Sequence, residues 1–203
     1  MDNCEKSNGE WNKTGKFPDD YNEKLAEWKG KDIVYHPIGI VRSEHTIQDN
    51  TPIQGVFNDS VGEIVLYDEY VPGLQNIENF SHLILLYHFD RATGVQLVRE
   101  PFLDGGNAKG IFAIRHFNRP NPIGFSIVTL LGRDEKRKNV LKIGAVDILN
   151  GTPIIDIKPY VYKFDHRDEV TVKNGWVEDK HLDDIFNWNA TPKGLRDTER
   201  THK

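Results

Sequence analysis

Short apolar segments with strand-like composition recur between residues 34 and 162, and helical periodicity is nearly absent from that region. The clearest is Phe80–Asp90, FSHLILLYHFD, whose continuous apolar character predicts a strand covered on both faces. The other predicted strands are Val34–Arg42, Val61–Tyr67, Ile111–Arg115, Phe125–Leu131, Val140–Val146 and Ile154–Tyr162. Six or seven strands at even spacing predict a mainly β chain, a small antiparallel β-barrel with short peripheral helices. The chain contains no strand–glycine–helix unit, which argues against a Rossmann-type cofactor site.

The segment Gly110–Ser126, GIFAIRHFNRPNPIGFS, combines a predicted strand with a stretch that cannot be regular structure. Pro120 and Pro122 fix φ and lack an N–H, and they keep the residue before each of them extended. Gly124 allows the backbone to bend or to approach a neighbour closely. The polar side chains of this loop are Arg115, His116, Asn118, Arg119 and Asn121. An ordinary proline-rich turn is the alternative, but so many polar groups on a stiff loop favour a binding or catalytic role.

Charge is distributed unevenly along the chain. The net charge is −5, yet residues 91–138 contain nine Lys or Arg and four Asp or Glu. This region could form a basic face for a polyanion or a carboxylate ligand, although a solvated surface of mixed charge explains the pattern equally well. The single cysteine, Cys4, cannot form an intrachain disulfide, and no long apolar run or signal sequence is present. We therefore expect a cytoplasmic protein without a membrane span.

Two patterns resemble ligand sites but do not support one. His82 and His88 share a face of the Phe80–Asp90 strand but lie about 20 Å apart along it, too far to share a metal ion. We expect them to be core histidines, and no metal site is predicted. Glycines at 105, 106 and 110 precede a strand rather than a helix, so they do not form a phosphate-binding loop. Asp90, beside Arg91 at the strand's end, is a candidate functional carboxylate.

Three regions are expected along the chain. Residues 1–32 form a polar leader in which Tyr21, Leu25 and Trp28 predict a short amphipathic helix, which packs on the domain or on a partner subunit. Residues 33–178 form the barrel domain. Residues 179–203 contain a last helix over Asp179–Trp188 and a flexible tail.

Three strings, FSHLILLYHFD, GIFAIRHFNRPNPIGFS and DILNGTPIIDIKPYV, resemble in order and spacing the TsaA-like (TrmO) family. The resemblance covers Tyr35–Trp176. It implies a small β-barrel without a Rossmann domain, usually a homodimer, that uses S-adenosylmethionine to methylate N6 of threonylcarbamoyl-adenosine beside the tRNA anticodon. Many members have Ser-Pro where this chain has His116-Phe117.

The resemblance also implies site residues. The expected cofactor-binding residues are Pro52, Ile53, Gln54, Asp90, Arg91, Arg115, Phe125, Asp147, Ile148, Leu149, Gly151 and Thr152. The candidates for removing a proton from the acceptor nitrogen are Asp90, His116, Asp156 and Tyr160. The expected substrate-binding residues are Arg119, Asn121 and Lys158. Arg115 or Arg119 could hold the cofactor carboxylate, while Asp90 or loop carbonyls could meet its ammonium. Asp156 could instead pair with Lys158, and Tyr160 and Phe125 could be packing residues.

Overall fold

The computed structural model describes residues 20–102, 106–166 and 171–178. Its strands are β1 (Gly39–Ser43), β2 (Val61–Leu66), β3 (His82–His88), β4 (Val98–Arg99), β5 (Lys109–Gly110), β6 (Ile123–Arg133), β7 (Val140–Gly144) and β8 (Pro153–Pro159). Six of them close a barrel in the order β1–β2–β7–β6–β3–β8, with antiparallel neighbours throughout. Strands β4 and β5 pair separately as a two-stranded sheet. The mainly β class and the closed barrel are confirmed.

The helices described are all short. The α-helices are α1 (Tyr21–Trp28) and α2 (Tyr162–Asp165), and the 3-10 helices cover Gln48–Asn50, Gly55–Phe57, Asp68–Leu74, Ile77–Asn79, Ile111–Ala113 and Gly175–Val177. Helix α1 is the predicted amphipathic helix, and its apolar side chains Tyr21, Leu25 and Trp28 are more than half exposed in this chain. The predicted Asp179–Trp188 helix and most of the leader lie outside the described residues. None of the described helices has the length and apolar character to cross a membrane.

The interior of the barrel is filled by every second residue of its strands. In β3, Leu83, Leu85 and Tyr87 point inward and are at most 5% exposed, while the residues between them are only half-buried. Continuous apolar character predicted burial on both faces, which is wrong. His82 is half-buried and His88 is exposed, so neither is a core histidine. The outer face of β3 lies at the surface of the barrel, because no helical layer covers it in the part of the chain that the structure describes.

Strand β1 begins five residues later than the sequence pattern suggests. Ile33, Val34 and Tyr35 are exposed and extended rather than paired, although the Ile38 N–H still donates to the Ile154 carbonyl at 2.8 Å. Pro37 has no N–H to continue the ladder.

The predicted strand Ile111–Arg115 is wrong. After the two-residue strand β5, the chain forms a 3-10 helix at Ile111–Ala113. Ile111 and Ile114 are buried, whereas Phe112 is 80% exposed. Buried positions spaced three residues apart match a turn and not the two-residue period of a strand.

Candidate functional site

A cleft of about 1310 Å³ lies where the ends of β3 and β6 meet the surrounding loops. Its walls come from the segment around residues 51–57, the irregular loop 112–119, the turn at residues 147–149 and residues 173–178. Ten of the twelve expected cofactor-binding residues line it: Pro52, Ile53, Gln54, Asp90, Arg91, Arg115, Phe125, Asp147, Ile148 and Leu149. The fold therefore brings together residues separated by nearly 100 positions in sequence.

Asp147 is a half-buried acid in the wall of the cleft. Its carboxylate accepts hydrogen bonds from the Ser126 hydroxyl at 2.7 Å and from the Gly55 N–H at 2.9 Å. Burial raises the pKa of Asp147 to about 6, although these two hydrogen bonds and the Arg115 charge act in the opposite direction. A side chain at residue 55 would collide with the Ala145 carbonyl, so only glycine permits this approach. Asp147 thus ties the 51–57 segment to β6.

Tyr87 extends this buried chain into the barrel. Its hydroxyl lies 3.1 Å from the Ser126 hydroxyl, and burial together with the Asp147 charge raises the pKa of the phenol. The ring of Tyr87 lies directly against the backbone of Gly124, and a Cβ there would overlap it. The close approach predicted for Gly124 is therefore made to Tyr87.

Arg115 faces the cleft beside Asp147. Its guanidinium donates to the Gln54 side-chain oxygen at 2.9 Å and lies 5.5 Å from the centre of the Phe125 ring. These two contacts hold a cation at the cleft wall, and Arg115 makes no ion pair within the described residues. Such a guanidinium is suited to bidentate binding of a carboxylate.

Arg91 has a different role in the structure. Its guanidinium donates to the carbonyls of Asn150, at 2.9 Å, and Thr46, at 3.3 Å, and so joins two loops at the cleft edge. Gly151 and Thr152 do not line the cleft. Instead they pair with Val41 of β1 through backbone hydrogen bonds at 2.8 and 3.0 Å. They position the turn that carries the Ile148 and Leu149 side chains.

His116 lies at another part of the same cleft and is 4% exposed. Its Nδ1 accepts from the Asn118 backbone N–H at 3.0 Å and contacts the Arg99 guanidinium at 3.3 Å. The ring stacks on Phe102, with 5.7 Å between centroids. Burial and the charges of Arg99 and Arg119 lower the pKa of His116 to about 4, so the imidazole is neutral at physiological pH.

Four other expected site residues lie away from the cleft. Asp156 and Lys158 form an exposed ion pair at 2.6 Å on β8, which is the alternative that the sequence left open. Tyr160 makes an edge contact with His82, and Asn121 is exposed in the proline loop. Arg119 does line the cleft, and its guanidinium donates to the Ile114 carbonyl at 3.4 Å.

Sequence reasoning did not identify one residue that lines the cleft, Trp176, or two that contact lining residues, Ser126 and Arg99. Ser126 could have been recognised, because a hydroxyl on the inward-facing alternation of β6, between Gly124 and Val128, needs a buried partner. Arg99 and Trp176 had no such local signal. The Trp176 indole N–H donates to the Ala113 carbonyl at 2.7 Å, which places residues 173–178 against the cleft.

Fold and cleft together define a small β-barrel domain with a ligand-binding site built from loops at its edge. Residues 40–166 match the family model described as the tRNA-methyltransferase O N-terminal domain. The chain belongs to this family.

Individual relatives support the same family assignment. A probable S-adenosyl-L-methionine-binding protein of Pyrococcus abyssi is 46% identical over 147 residues, covering 72% of this chain and 77% of the relative. The tRNA (adenine(37)-N6)-methyltransferase of Escherichia coli is 37% identical over 134 residues, covering 63% and 57%. The crystal structure of TrmO from Pseudomonas aeruginosa superposes with a TM-score of 0.59 at 31% identity, covering 72% and 63%. The matched part thus spans less than two thirds of the two bacterial proteins.

Proposed function

We propose that this chain is an S-adenosylmethionine-dependent methyltransferase acting on N6 of an adenine in tRNA, and that the acceptor is threonylcarbamoyl-adenosine beside the anticodon. The observation that carries the proposal is the convergence of ten expected cofactor residues on one cleft. Membership of the family and the names of the relatives support the same activity.

The cleft residues fit the chemistry of the cofactor. S-adenosylmethionine carries a carboxylate, an ammonium, a sulfonium and a purine. Arg115 is the cation for the carboxylate, and its contact with Gln54 fixes its direction. Loop carbonyls of residues 147–149 are acceptors for the ammonium. Apolar side chains such as Ile53 and Phe125 line the cleft as surfaces for the purine and the sulfonium.

When bound, the cofactor supplies a methyl group activated by positive sulfur. The protein's main contribution is to hold the acceptor nitrogen in line with that group, which is worth on the order of 7–11 kcal/mol. Of the four candidate proton acceptors, Asp90 and His116 line the cleft, whereas Asp156 and Tyr160 do not. The Asp90 side chain is 37% exposed and lies 3.8 Å from the Arg91 guanidinium, so it is accessible from the cleft, and we assign it as the acceptor of the proton that leaves the methyl-accepting nitrogen.

The acceptor is proposed to enter as single-stranded RNA. Arg119 lines the cleft, and Phe112 beside it exposes 80% of its surface. Aromatic faces and guanidinium groups are the usual partners of unpaired bases and phosphates.

We also propose a cytoplasmic homodimer. Support for the dimer comes from the outer face of β6, where Ile123, Phe125 and Ile127 are 39–40% exposed in a row. Sedimentation equilibrium of the full chain tests it: replacing Ile127 with Asp should give a monomer where the unaltered chain gives a dimer.

The activity is tested by incubating the protein with tRNA and S-adenosylmethionine labelled in the methyl group, followed by mass spectrometry of the nucleosides. The expected product is N6-methylated threonylcarbamoyl-adenosine. Arg115→Met should abolish most of the transfer, whereas Arg42→Met, which removes a surface partner of Glu63 far from the cleft, should not. Label on another nucleoside would contradict the acceptor, and no label with the unaltered chain would contradict the function.

A further inference from the structure

Two buried side-chain nitrogens have no hydrogen-bond partner within the described residues, and they belong to one contacting pair. They are Nε2 of His116 and Nε of Arg99. Buried polar atoms in folded proteins almost always have partners, because an unsatisfied buried donor destabilises the fold. A pair of such donors at a ligand cleft therefore calls for an explanation.

The tautomer of His116 follows from its neighbours. A backbone N–H can only donate, so the Asn118 N–H at 3.0 Å requires a lone pair on Nδ1. The Arg99 guanidinium approaches the same atom at 3.3 Å, and it is also only a donor. In a neutral imidazole the proton must then be on Nε2, which makes the unpartnered atom a hydrogen-bond donor.

The surroundings hold the ring in this state. Phe102 and Phe117 pack against the imidazole, at 5.7 and 3.9 Å between centroids, and offer no acceptor. The charged groups that face it, Arg99 and Arg119, are both cations and disfavour the imidazolium. Arg99 has lost part of its hydration, since burial lowers its pKa as well, and in the part of the chain that the structure describes its other side-chain hydrogen bond goes to Gln96 at 3.2 Å.

We infer that the His116–Arg99 pair is a subsite for an oxygen atom of the methyl acceptor, a carbonyl or carboxylate, to which His116 donates from Nε2. His116 is then not a general base, because its lone pair is already occupied. Arg99 is a positioning residue that donates to Nδ1 and so favours this tautomer, and its own Nε–H has no partner among the described residues. A neutral histidine that polarises an oxygen is an established way to stabilise charge on a substrate. This inference rests on the proposed function for the identity of the acceptor.

The tautomer is tested by NMR on the full chain with ¹⁵N-labelled histidine. The chain has eight histidines, and the His116 signals are those lost in the His116→Gln variant. The expected spectrum shows a protonated Nε2 and an unprotonated Nδ1, unchanged between pH 8 and 5.5. A proton on Nδ1, or a titration near the ordinary pKa of about 6.5, would overturn the inference. In Arg99→Met the pKa of His116 should move upward, because one of the charges that lower it is removed.

The role is tested by comparing two substitutions in the methyl-transfer assay. His116→Gln keeps an N–H donor near the position of Nε2, whereas His116→Phe keeps the ring and removes the donor. We expect near-normal transfer for the glutamine variant and a loss of roughly tenfold to a hundredfold for the phenylalanine variant. Equal loss in both variants would instead indicate a base and overturn the inference.

The affinity for S-adenosylmethionine shows whether the oxygen bound by His116 belongs to the methyl acceptor or to the cofactor. It should be unchanged in His116→Phe, and weaker binding would place the oxygen on the cofactor and contradict the inference. If the unaltered chain transfers no methyl group to any tRNA, the proposed function fails, while the NMR result still decides the tautomer.

Discussion

Two parts of one cleft differ in how their polar groups are satisfied. Around Asp147, each polar side chain has a partner: Tyr87, Ser126 and Asp147 form a continuous chain that ends at the Gly55 backbone N–H. Around His116, two buried donors have none within the described residues. The first cluster can serve the fold on its own, because it joins a loop to the barrel. The second leaves two donors that no described residue satisfies, and we explain them by a bound ligand. We therefore assign the satisfied groups around Asp147 to the structural support of the site, and the unsatisfied donors of His116 and Arg99 to binding of the methyl acceptor.

The largest expected effect on stability comes from removing the Asp147 side chain, which joins the 51–57 segment to β6. Asp147→Ala leaves the Gly55 N–H without its acceptor and opens a void beside Ser126, so we expect a loss of about 3 kcal/mol in unfolding free energy at pH 5. Urea denaturation measures it. The matched control is Asp156→Ala, which breaks an exposed ion pair and should cost less than about 1 kcal/mol. Equal losses of unfolding free energy in the two variants would mean that the Asp147 cluster stabilises the fold no more than an exposed ion pair does.

The same substitution should remove a pH dependence. Because the pKa of Asp147 is raised to about 6 in the folded chain, the folded state holds this proton more tightly than the unfolded state does. Its contribution to stability is full below about pH 4 and is lost as the pH rises through 6, by about 3 kcal/mol. The stability gap between the unaltered chain and Asp147→Ala should therefore narrow from pH 4 to pH 7. A difference in unfolding free energy that stays constant between pH 4 and pH 7 would contradict the raised pKa of Asp147.

A smaller effect is expected at Gly124. Alanine there places a methyl group inside the Tyr87 ring, so the ring must move and its contact with Ser126 is disturbed. We expect a loss of about 2 kcal/mol. Gly73→Ala is the control, since nothing lies within 4 Å of the added carbon. If both variants unfold at the same urea concentration, Tyr87 is not fixed by this contact.

The difference between the two parts of the cleft also shows what the sequence could reveal. The barrel follows from evenly spaced apolar segments of strand-like composition, which are a local signal, and the proline loop follows from φ restrictions at Pro120 and Pro122. Phe112 was misassigned because an apolar run has the same composition in a strand and in a turn. Resemblance to a family brought Asp147 and Arg115 together, which no local rule would have done.

The His116 subsite could not be predicted in detail. His116 was a candidate by residue type, but its protonation state depends on Arg99, which lies 17 positions earlier in strand β4. The sequence likewise did not separate Asp156 from the cleft acids, because that distinction depends on which face of β8 turns outward. Contacts distant in sequence, and not propensities, decide these roles.

The central claim is that the cofactor binds beside Arg115 and the acceptor beside His116. Calorimetric titration of S-adenosylmethionine into two variants, with the unaltered chain as reference, tests it most directly. Arg115→Met should weaken binding by roughly tenfold to a hundredfold, because a charged hydrogen bond to the carboxylate is lost, and His116→Phe should leave the affinity unchanged. Unchanged affinity in Arg115→Met, or a loss in His116→Phe as large as that expected for Arg115→Met, would contradict the account.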